Sequence, residues 1–468
     1  MLLALTAALA IVAQDHASLR AEPRSGATEL TALSPGDLVE IRGEQAEYLK
    51  VYNYRQERGG YLKREAARPL GLTENDAPEL LAVLRFLRDS RGSEALGISY
   101  GAAYLKAAPA QSLTAEPFDA LARMAERLAD AASGSGSQPA ALTSHLQVVQ
   151  QFGVRMSTFE RNGRMQVCYD GELYRRVLSI KAATAEQRAH AVLGLTRPEC
   201  IDPNLGPTAR MALDDERRQL LELVDVRELE PALRSRVSAR RAAVWAAVTF
   251  ARARRQQSPA ASAQRALDEL LAVNPGALGE DRRAEYVDSL ARVSAIRWGA
   301  EPAITQKGPL VLSTVPGETG QTCVLLQDTR RPRGAPPLSQ RCTYGIVWMA
   351  SAKTLPSGPA VVLSVQPLES WLELWVFHEV AGNWTIDVLS PGAEEPEQGY
   401  VEYAGFAPGT RRLLIVREVK ERGRFRRRFE LIRLDDLAQV RFASTPDLLR
   451  DFGNWQDVAW KRDTLSLH

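Results

Sequence analysis

The sequence predicts a multidomain chain with a small all-β unit, a long all-α middle and an all-β carboxy-terminal domain. Three observations carry this prediction. The apolar period is about two over residues 17–66, about 3.6 from residue 72 to 298, and strand-like again after Pro309. Six of the eight tryptophans (Trp348, Trp371, Trp375, Trp384, Trp455 and Trp460) lie in that last region. The length of 468 residues suits about three domains of roughly 150 residues each. With 45% hydrophobic and 25% charged residues, neither wholesale disorder nor a polytopic membrane protein fits. Lys+Arg 59 against Asp+Glu 57 gives a net charge of +2, so no global field draws nucleic acid or an acidic substrate.

Residues 1–14 carry the pattern of a secretory signal. The run from Leu2 to Val12 is apolar, stays uncharged through Gln14 and ends in small residues, with Ala8 and Ala10, or Ala13, as peptidase positions. It is shorter than the roughly 18–20 apolar residues of a transmembrane helix, so the mature chain is expected to have no membrane span. No Lys or Arg precedes Arg20, leaving the terminal amine as the only positive charge ahead of the run. The competing reading is a buried amino-terminal helix or strand. Four cysteines fall into two local pairs, Cys168 with Cys200 and Cys323 with Cys342. Pairing within each segment suits disulfides, each stabilising by roughly 3 kcal/mol through loop closure; the alternative is four buried thiols. No C-x-x-C spacing or neighbouring pair of histidines implies zinc. Disulfides and a signal together place the protein in the periplasm or otherwise outside the cytoplasm.

Residues 15–70 read as short strands broken by turns. Val39 and Ile41 alternate with Leu38 and Glu40, Ser34-Pro35-Gly36 marks a turn, Leu49 and Val51 alternate with Tyr48, Lys50 and Tyr52, and Gly59-Gly60 precedes Tyr61. The segments SLRAEP, LSPGDLVEI, YLKV and GGYL resemble, in that order, the strands and turns of a bacterial SH3-like (SH3b) domain. The resemblance covers about 50 residues. Tyr48 stands where Trp is more usual, and Arg55 to Arg58 lengthens a hairpin. It implies a small β-barrel that binds cell-wall peptide or a protein partner. Tyr48, Tyr52, Tyr54 and Tyr61 are the candidate groove residues, since aromatic faces pack on peptide or sugar rings while their hydroxyls hydrogen-bond.

Residues 71–300 form the helical region. Asp76 with Glu79 suggests a capping box around Pro78, followed by the stripe Leu80, Leu84 and Leu87; Thr114 and Pro117 precede Phe118, Leu121, Met124 and Leu128. Ala266, Leu267, Leu270 and Leu271, then Tyr286, Leu290 and Val293, suggest helical hairpins of the solenoid kind, against an irregular all-α domain. A Gly/Ser linker at 133–137 divides the region, and Asn162-Gly163 signals a hairpin that would carry Cys168 toward Cys200.

Residues 301–468 are β-rich. AVVLSV, WLELWVF and WTIDVL form one set of strands, and RRLLIVRE, RRFELIRL and AQVRFAS another. Aligning Ala360–Val365 with Arg412–Arg417, and Leu374–Phe377 with Phe429–Ile432, gives a repeat of about 50 residues, the size of a four-stranded blade. GYVEYAGFAPGTRRLLIVRE followed by FELIRLD resembles TolB-type β-propeller repeats, with Phe406, Ala407, Pro408 and Gly409 at the motif positions. A propeller-like domain is expected, with a partial propeller or an open or sandwiched β domain as alternatives. Its tryptophans read as sheet-packing residues.

Catalytic spellings are few. Gly97-Ile98-Ser99-Tyr100-Gly101 fits G-x-S-x-G, but lacks the strand–turn–helix context that exposes the serine, and nothing places His145, His190 or His378 beside it; a turn is expected there. His378-Glu379 starts an H-E-x-x-H spelling that Gly382 breaks. No phosphate loop, dinucleotide fingerprint or calcium loop occurs, so no cofactor or metal is implied. Glu94, Glu160 and Glu172 read as solvated. Two basic clusters, Leu233–Arg255 and Lys420–Glu430, read as solvated faces, with Arg424 and Arg426 opposite Phe425 in a hairpin; the alternative is contact with an anionic polymer, which for an exported protein means lipopolysaccharide, anionic lipid or wall polymer rather than nucleic acid. The sequence thus reads as an exported, non-enzymatic binding or adaptor protein of the bacterial envelope, whose partner is peptidoglycan peptide or an envelope protein and not nucleic acid. The competing class is an envelope enzyme, a peptidoglycan hydrolase targeted by its SH3-like domain.

Overall fold

The computed structural model describes residues 8–457 and 460, apart from 135–139, 162, 303–305, 307, 356–359, 393–397, 408–409 and 422–423. The chain divides into two compact units, residues 1–209 with 219–228 and residues 210–218 with 229–468.

The first unit opens with an antiparallel sheet of β1 (Ala8–Val12), β2 (Ala17–Arg20), β3 (Glu29–Leu33), β4 (Leu38–Gln45), β5 (Tyr48–Asn53), β6 (Arg58–Lys63) and β7 (Ala67–Leu70). Their spatial order is β3-β2-β6-β5-β4-β1-β7, and no pairing joins the first strand to the last among the described residues. Period-two alternation sends Leu19, Leu33, Val39, Leu49, Val51 and Leu62 into one core. The expected signal segment behaves differently. Residues 1–7 lie outside the described residues, but Ala8–Val12 is an inner strand, paired with β4 on one side and β7 on the other, and Ala10, Ile11 and Val12 are fully buried. A five-residue apolar run satisfies a buried strand as well as a signal, and here the sheet takes it. The competing reading of a buried strand therefore holds for residues 8–12.

Helices follow: α1 (Ala77–Arg88), α2 (Glu94–Ala107), α3 (Ala115–Ala132) and α4 (Ala140–Gln150), then the hairpin of β8 (Met156–Arg161) and β9 (Arg164–Tyr169), then α5 (Glu172–Ser179) and α6 (Ala185–Leu195). The expected stripes are buried: Leu80, Leu84 and Leu87 in α1, and Phe118, Leu121, Met124 and Leu128 in α3. The expected Asp76–Glu79 capping box is not formed; the box lies three residues earlier, on the turn Glu74–Asp76, with Asp76 accepting from the Thr73 amide at 2.8 Å and Thr73 Oγ1 at 2.5 Å. The G-x-S-x-G spelling lies inside α2, not in a turn. Gly97 and Gly101 face α3 so closely that an added Cβ would stand 2.4 Å from Met124 Sδ and 2.5 Å from Leu121 Cδ2. The i, i+4 glycines exist to let two helices touch. In the hairpin Arg161 pairs with Arg164 around Gly163, whose φ of +70° suits a two-residue turn, while Asn162 lies outside the described residues. The hairpin brings Cys168 into a disulfide with Cys200. Of the expected linker, Ser133 accepts from the Val167 amide and Gly134 bridges Met165; residues 135–137 lie outside the described residues.

The second unit takes residues 210–218 from α7 (Pro207–Glu222), together with α8 (Pro231–Arg254), α9 (Ala260–Leu271) and α10 (Glu280–Ile296). The helical middle is thus shared between the two units. The β part comprises a three-stranded sheet, β10 (Leu310–Pro316), β11 (Thr322–Asp328) and β12 (Ser339–Thr343), then two antiparallel four-stranded meanders. The first meander is β13 (Ile346–Thr354), β14 (Ala360–Leu368), β15 (Trp371–Val380) and β16 (Asn383–Leu389). The second is β17 (Gly399–Ala407), β18 (Arg412–Glu421), β19 (Arg424–Arg433) and β20 (Gln439–Ala443), after which α11 (Arg450–Trp455) closes the described chain. A short parallel pairing of Trp371 and Leu372 with Gly399 and Tyr400 joins the meanders. The repeat seen in the sequence aligns β14 with β18 and β15 with β19, the second and third strands of each meander.

These sheets stack. Val361, Leu363 and Val365 of β14, with Trp375 and Phe377 of β15, pack on Leu312, Val324 and Leu326 of the three-stranded sheet. Val362, Leu374 and Val376 pack on Val401, Leu413, Ile415 and Ile432 of the second meander. That meander's other face, with Leu414, Val416 and Leu431, packs on Ala242, Ala246, Leu290 and Val293 of α8 and α10. The inner strands β14, β15, β17 and β18 are covered on both faces over most of their length, so they read as nearly continuous apolar runs, whereas at the edges β16 is part-exposed and β20 largely exposed. Glu369, between β14 and β15, accepts from Arg292 of α10 at 2.7 Å and Arg210 of α7 at 3.0 Å, tying helices to sheet. Among the described residues the strands form a stack and do not close into a ring. Of the tryptophans, Trp348, Trp371, Trp375 and Trp460 are buried, whereas Trp455 is exposed.

Two outcomes test this architecture. Ile11→Ala removes a fully buried side chain from an inner strand and is expected to cost about 2–5 kcal/mol in denaturant melts. Alkylation without reduction should modify no cysteine, because Cys168–Cys200 and Cys323–Cys342 are both bonded, and replacing either pair by serine should cost about 3–4 kcal/mol of stability.

Candidate functional site

Strand alternation divides the four candidate tyrosines. In β5, Leu49, Val51 and Asn53 point into the core, leaving Tyr48, Lys50 and Tyr52 on the other face; in β6, Leu62 points inward and Tyr61 outward. Tyr48 is only 6% exposed and contributes packing, not a groove. Tyr61 is half-buried opposite Lys50. Tyr54, just past the end of β5, is 63% exposed. Tyr52 and Tyr54 meet edge to face, centroids 5.0 Å apart at 75°. No ring contact joins Tyr48 or Tyr61 to that pair among the described residues.

The structure adds two residues that the sequence reading passed over. Glu40 and Arg42 share one face of β4, and Glu40 stands directly opposite Tyr52 across the ladder. The Arg42 guanidinium lies over the Tyr52 ring, 4.1 Å from its centroid, and its Nε donates to Glu40 Oε2 at 2.7 Å. Tyr54 donates its hydroxyl proton to the same oxygen at 3.0 Å. The hydrogen bond from Arg42, followed by that from Tyr54, holds the Glu40 carboxyl below the usual carboxylate range. The signal for this was the i, i+2 spacing of Glu40 and Arg42 on a strand, and it needed the register to become readable. The outcome is an exposed patch with an aromatic edge, a cation on a ring face and a shared carboxylate. Such a surface suits a ligand with flat apolar groups and hydrogen-bonding edges.

Beneath it sits a buried carboxylate. Asp37, at the end of the Ser34-Pro35-Gly36 turn, is fully buried and accepts both Arg55 Nε and Nη2 at 2.8 Å, the Ser34 amide at 2.9 Å and Asn53 Nδ2 at 3.3 Å. Asn53 in turn accepts the Gln56 amide at 2.8 Å. Tyr54 therefore lies between two residues clamped to one buried charge, which anchors its backbone while its exposed ring rests edge to face on Tyr52. Arg55, between β5 and β6, supplies the counter-ion.

Other candidate groups resolve as structure. Ser99 is buried and donates to Gly36 O at 2.7 Å and Ala95 O at 2.9 Å, with no histidine beside it among the described residues. His190 faces Asp119 at 3.7 Å, and His378, inside β15, contacts Asp387 at 2.7 Å. Glu94 departs from its expected solvation: it is 7% exposed and pairs with Arg127 at 3.0 Å, whereas Glu160 and Glu172 are exposed. The basic face of α8 departs likewise, because Arg240 pairs with Glu285 and Arg241 with Glu269 inside the second unit. Among the described residues no three His, Cys, Asp or Glu side chains converge as metal ligands, and no helix is long and apolar enough to cross a membrane.

No protein-family model, curated protein or solved structure matches the chain. Its class rests on its own architecture: a two-unit, disulfide-bonded protein with an amino-terminal antiparallel sheet, helices in both units and stacked carboxy-terminal sheets.

Two measurements probe the patch. An NMR titration should place the Glu40 pKa below 4.5 and return it toward that value in Arg42→Gln; the pairing it supports is complete above the ordinary carboxylate range and fades as pH falls through the depressed value. Arg55→Ala strands the buried Asp37 charge and is expected to cost about 3–5 kcal/mol in thermal or chemical melts.

Proposed function

We propose that this protein is an exported, non-enzymatic binding protein of the bacterial envelope, whose amino-terminal SH3-like module presents the Tyr52–Tyr54 patch to cell-wall peptide or to an envelope protein. The observation that carries the reading is the exposed Tyr54 edge, held against Tyr52 and Glu40 by a loop clamped on Asp37. An aromatic residue kept exposed by a buried ion pair is organised for contact rather than for the core. Export is supported by the two disulfides, which persist in oxidising compartments. The three stacked sheets, read as blades of a TolB-like partial propeller, would serve as a second interaction scaffold.

Co-sedimentation of the full chain with purified sacculi tests the reading. Binding is expected, with no release of soluble muropeptides, and the double change Arg42→Ala, Tyr54→Ala should weaken it at least about tenfold, or about 1.4 kcal/mol. Unchanged binding in that variant would remove the patch from the proposal, and muropeptide release would replace a binding protein with a wall hydrolase.

A further inference from the structure

The second meander carries a polar cleft that the patch does not explain. One face of β18 and β19 runs from Leu413, Ile415 and Ile432, which pack against the first meander, to Arg417, Glu430, Val419, Arg428, Glu421 and Arg426. The same face thus changes from apolar to charged along its length. The charged stretch, with Pro391, Gly392 and Gln439, lines an open cleft of about 260 Å³.

The guanidinium groups in it are not equivalent. Arg417 is used up: it donates Nε and Nη2 to the two oxygens of buried Glu430 at 2.9 and 3.2 Å, and Nη1 to the Ser390 carbonyl. Arg426 and Arg428 are 62% and 42% exposed and share a single carboxylate, Glu421, at 3.3 and 3.8 Å. Neither donates a hydrogen bond to another described side chain. Three arginines against two glutamates leave the cleft one positive charge in excess. A guanidinium carries five N–H donors in a planar fork, so two forks facing one loosely held carboxylate leave donors for a second oxyanion.

The geometry points to an oxyanion-binding cleft in which Arg426 and Arg428 are the recognising residues, Arg417–Glu430 is the fixed wall and Glu421 is a built-in competitor. The ligand class is a small carboxylate or phosphate monoester, free or at the end of a chain, since the volume admits a group of small-metabolite size and the net charge favours an anion. This inference is independent of the tyrosine patch.

Isothermal titration of the full protein with inorganic phosphate and, separately, N-acetylglutamate tests it. Saturable binding of at least one probe is expected, weakening as salt rises and at least about tenfold weaker in Arg426→Gln, Arg428→Gln. Arg433→Gln, at the other end of β19 and paired with Asp436, should bind as wild type. Glu421→Gln removes the competitor and should bind more tightly, a gain that no folding defect would imitate. Response to phosphate alone assigns a phosphate source, and response to the carboxylate alone assigns a peptide or acid source. Absence of saturable binding to both probes, or binding unchanged in the double arginine variant, overturns the site.

Discussion

The constraint on which the carboxy-terminal architecture depends is that the inner strands of its meanders are apolar on both faces. A strand such as β14, with Val361, Leu363 and Val365 on one side and Ala360 and Val362 on the other, leaves no face for water. Burying a side chain of this size is worth roughly 1.5–3 kcal/mol, so leaving a face of about five such side chains uncovered would forfeit about as much as the whole margin of a typical domain. The sheets therefore stack, with the three-stranded sheet on one side of the first meander and the second meander on the other. The last open face falls to α8 and α10, whose alanines permit close approach. Buried arginines of this unit are paired, as with Arg292 on Glu369 or Arg297 on Glu402 at 2.8 Å.

In the first unit the corresponding role belongs to a single buried carboxylate. Asp37 gathers the turn before β4, the end of β5 and the guanidinium of Arg55 into one hydrogen-bonded cluster. A buried charge is costly unless all its oxygens are satisfied, so the cluster has little freedom to rearrange. Tyr54 inherits that rigidity while its ring stays in solvent. The arginine cleft differs: its exposed Arg426 and Arg428 are held by the part-exposed Glu421, beside the pair of Arg417 with buried Glu430.

Much of the fold was legible residue by residue. The period change near residue 72, the stripe Leu80–Leu84–Leu87, the hairpin at Gly163, the pairing of Cys168 with Cys200 and Cys323 with Cys342, and the alignment of β14 with β18 all follow from local pattern. The site was less so. Tyr54 was readable as an aromatic in a β segment, but Tyr48 carries the same signal and is buried. Arg240 and Arg241 look like a solvated basic face, because a helix sequence does not reveal that Glu285 and Glu269 wait on its neighbours. Arg427 and Arg428 stand side by side in RFRRRF, yet one is tied to buried Tyr400 at 2.7 Å and the other reaches the cleft.

What the sequence determined by itself was therefore the regime of each segment, since periodicity, turn residues and cysteine spacing act over a few residues. What only the tertiary structure decided was coverage and register. Residues 8–12 became an inner strand because β4 and β7 offer edges on both sides, a fact that no apolar run states about itself. Gly97 and Gly101, spelled like a catalytic elbow, proved to be the contact through which α3 reaches α2. Glu40 joined Tyr52 only through the strand register, and the two meanders became a stack only because each had two faces to bury. Local preference is written in neighbours along the chain, whereas burial and pairing are properties of neighbours in space.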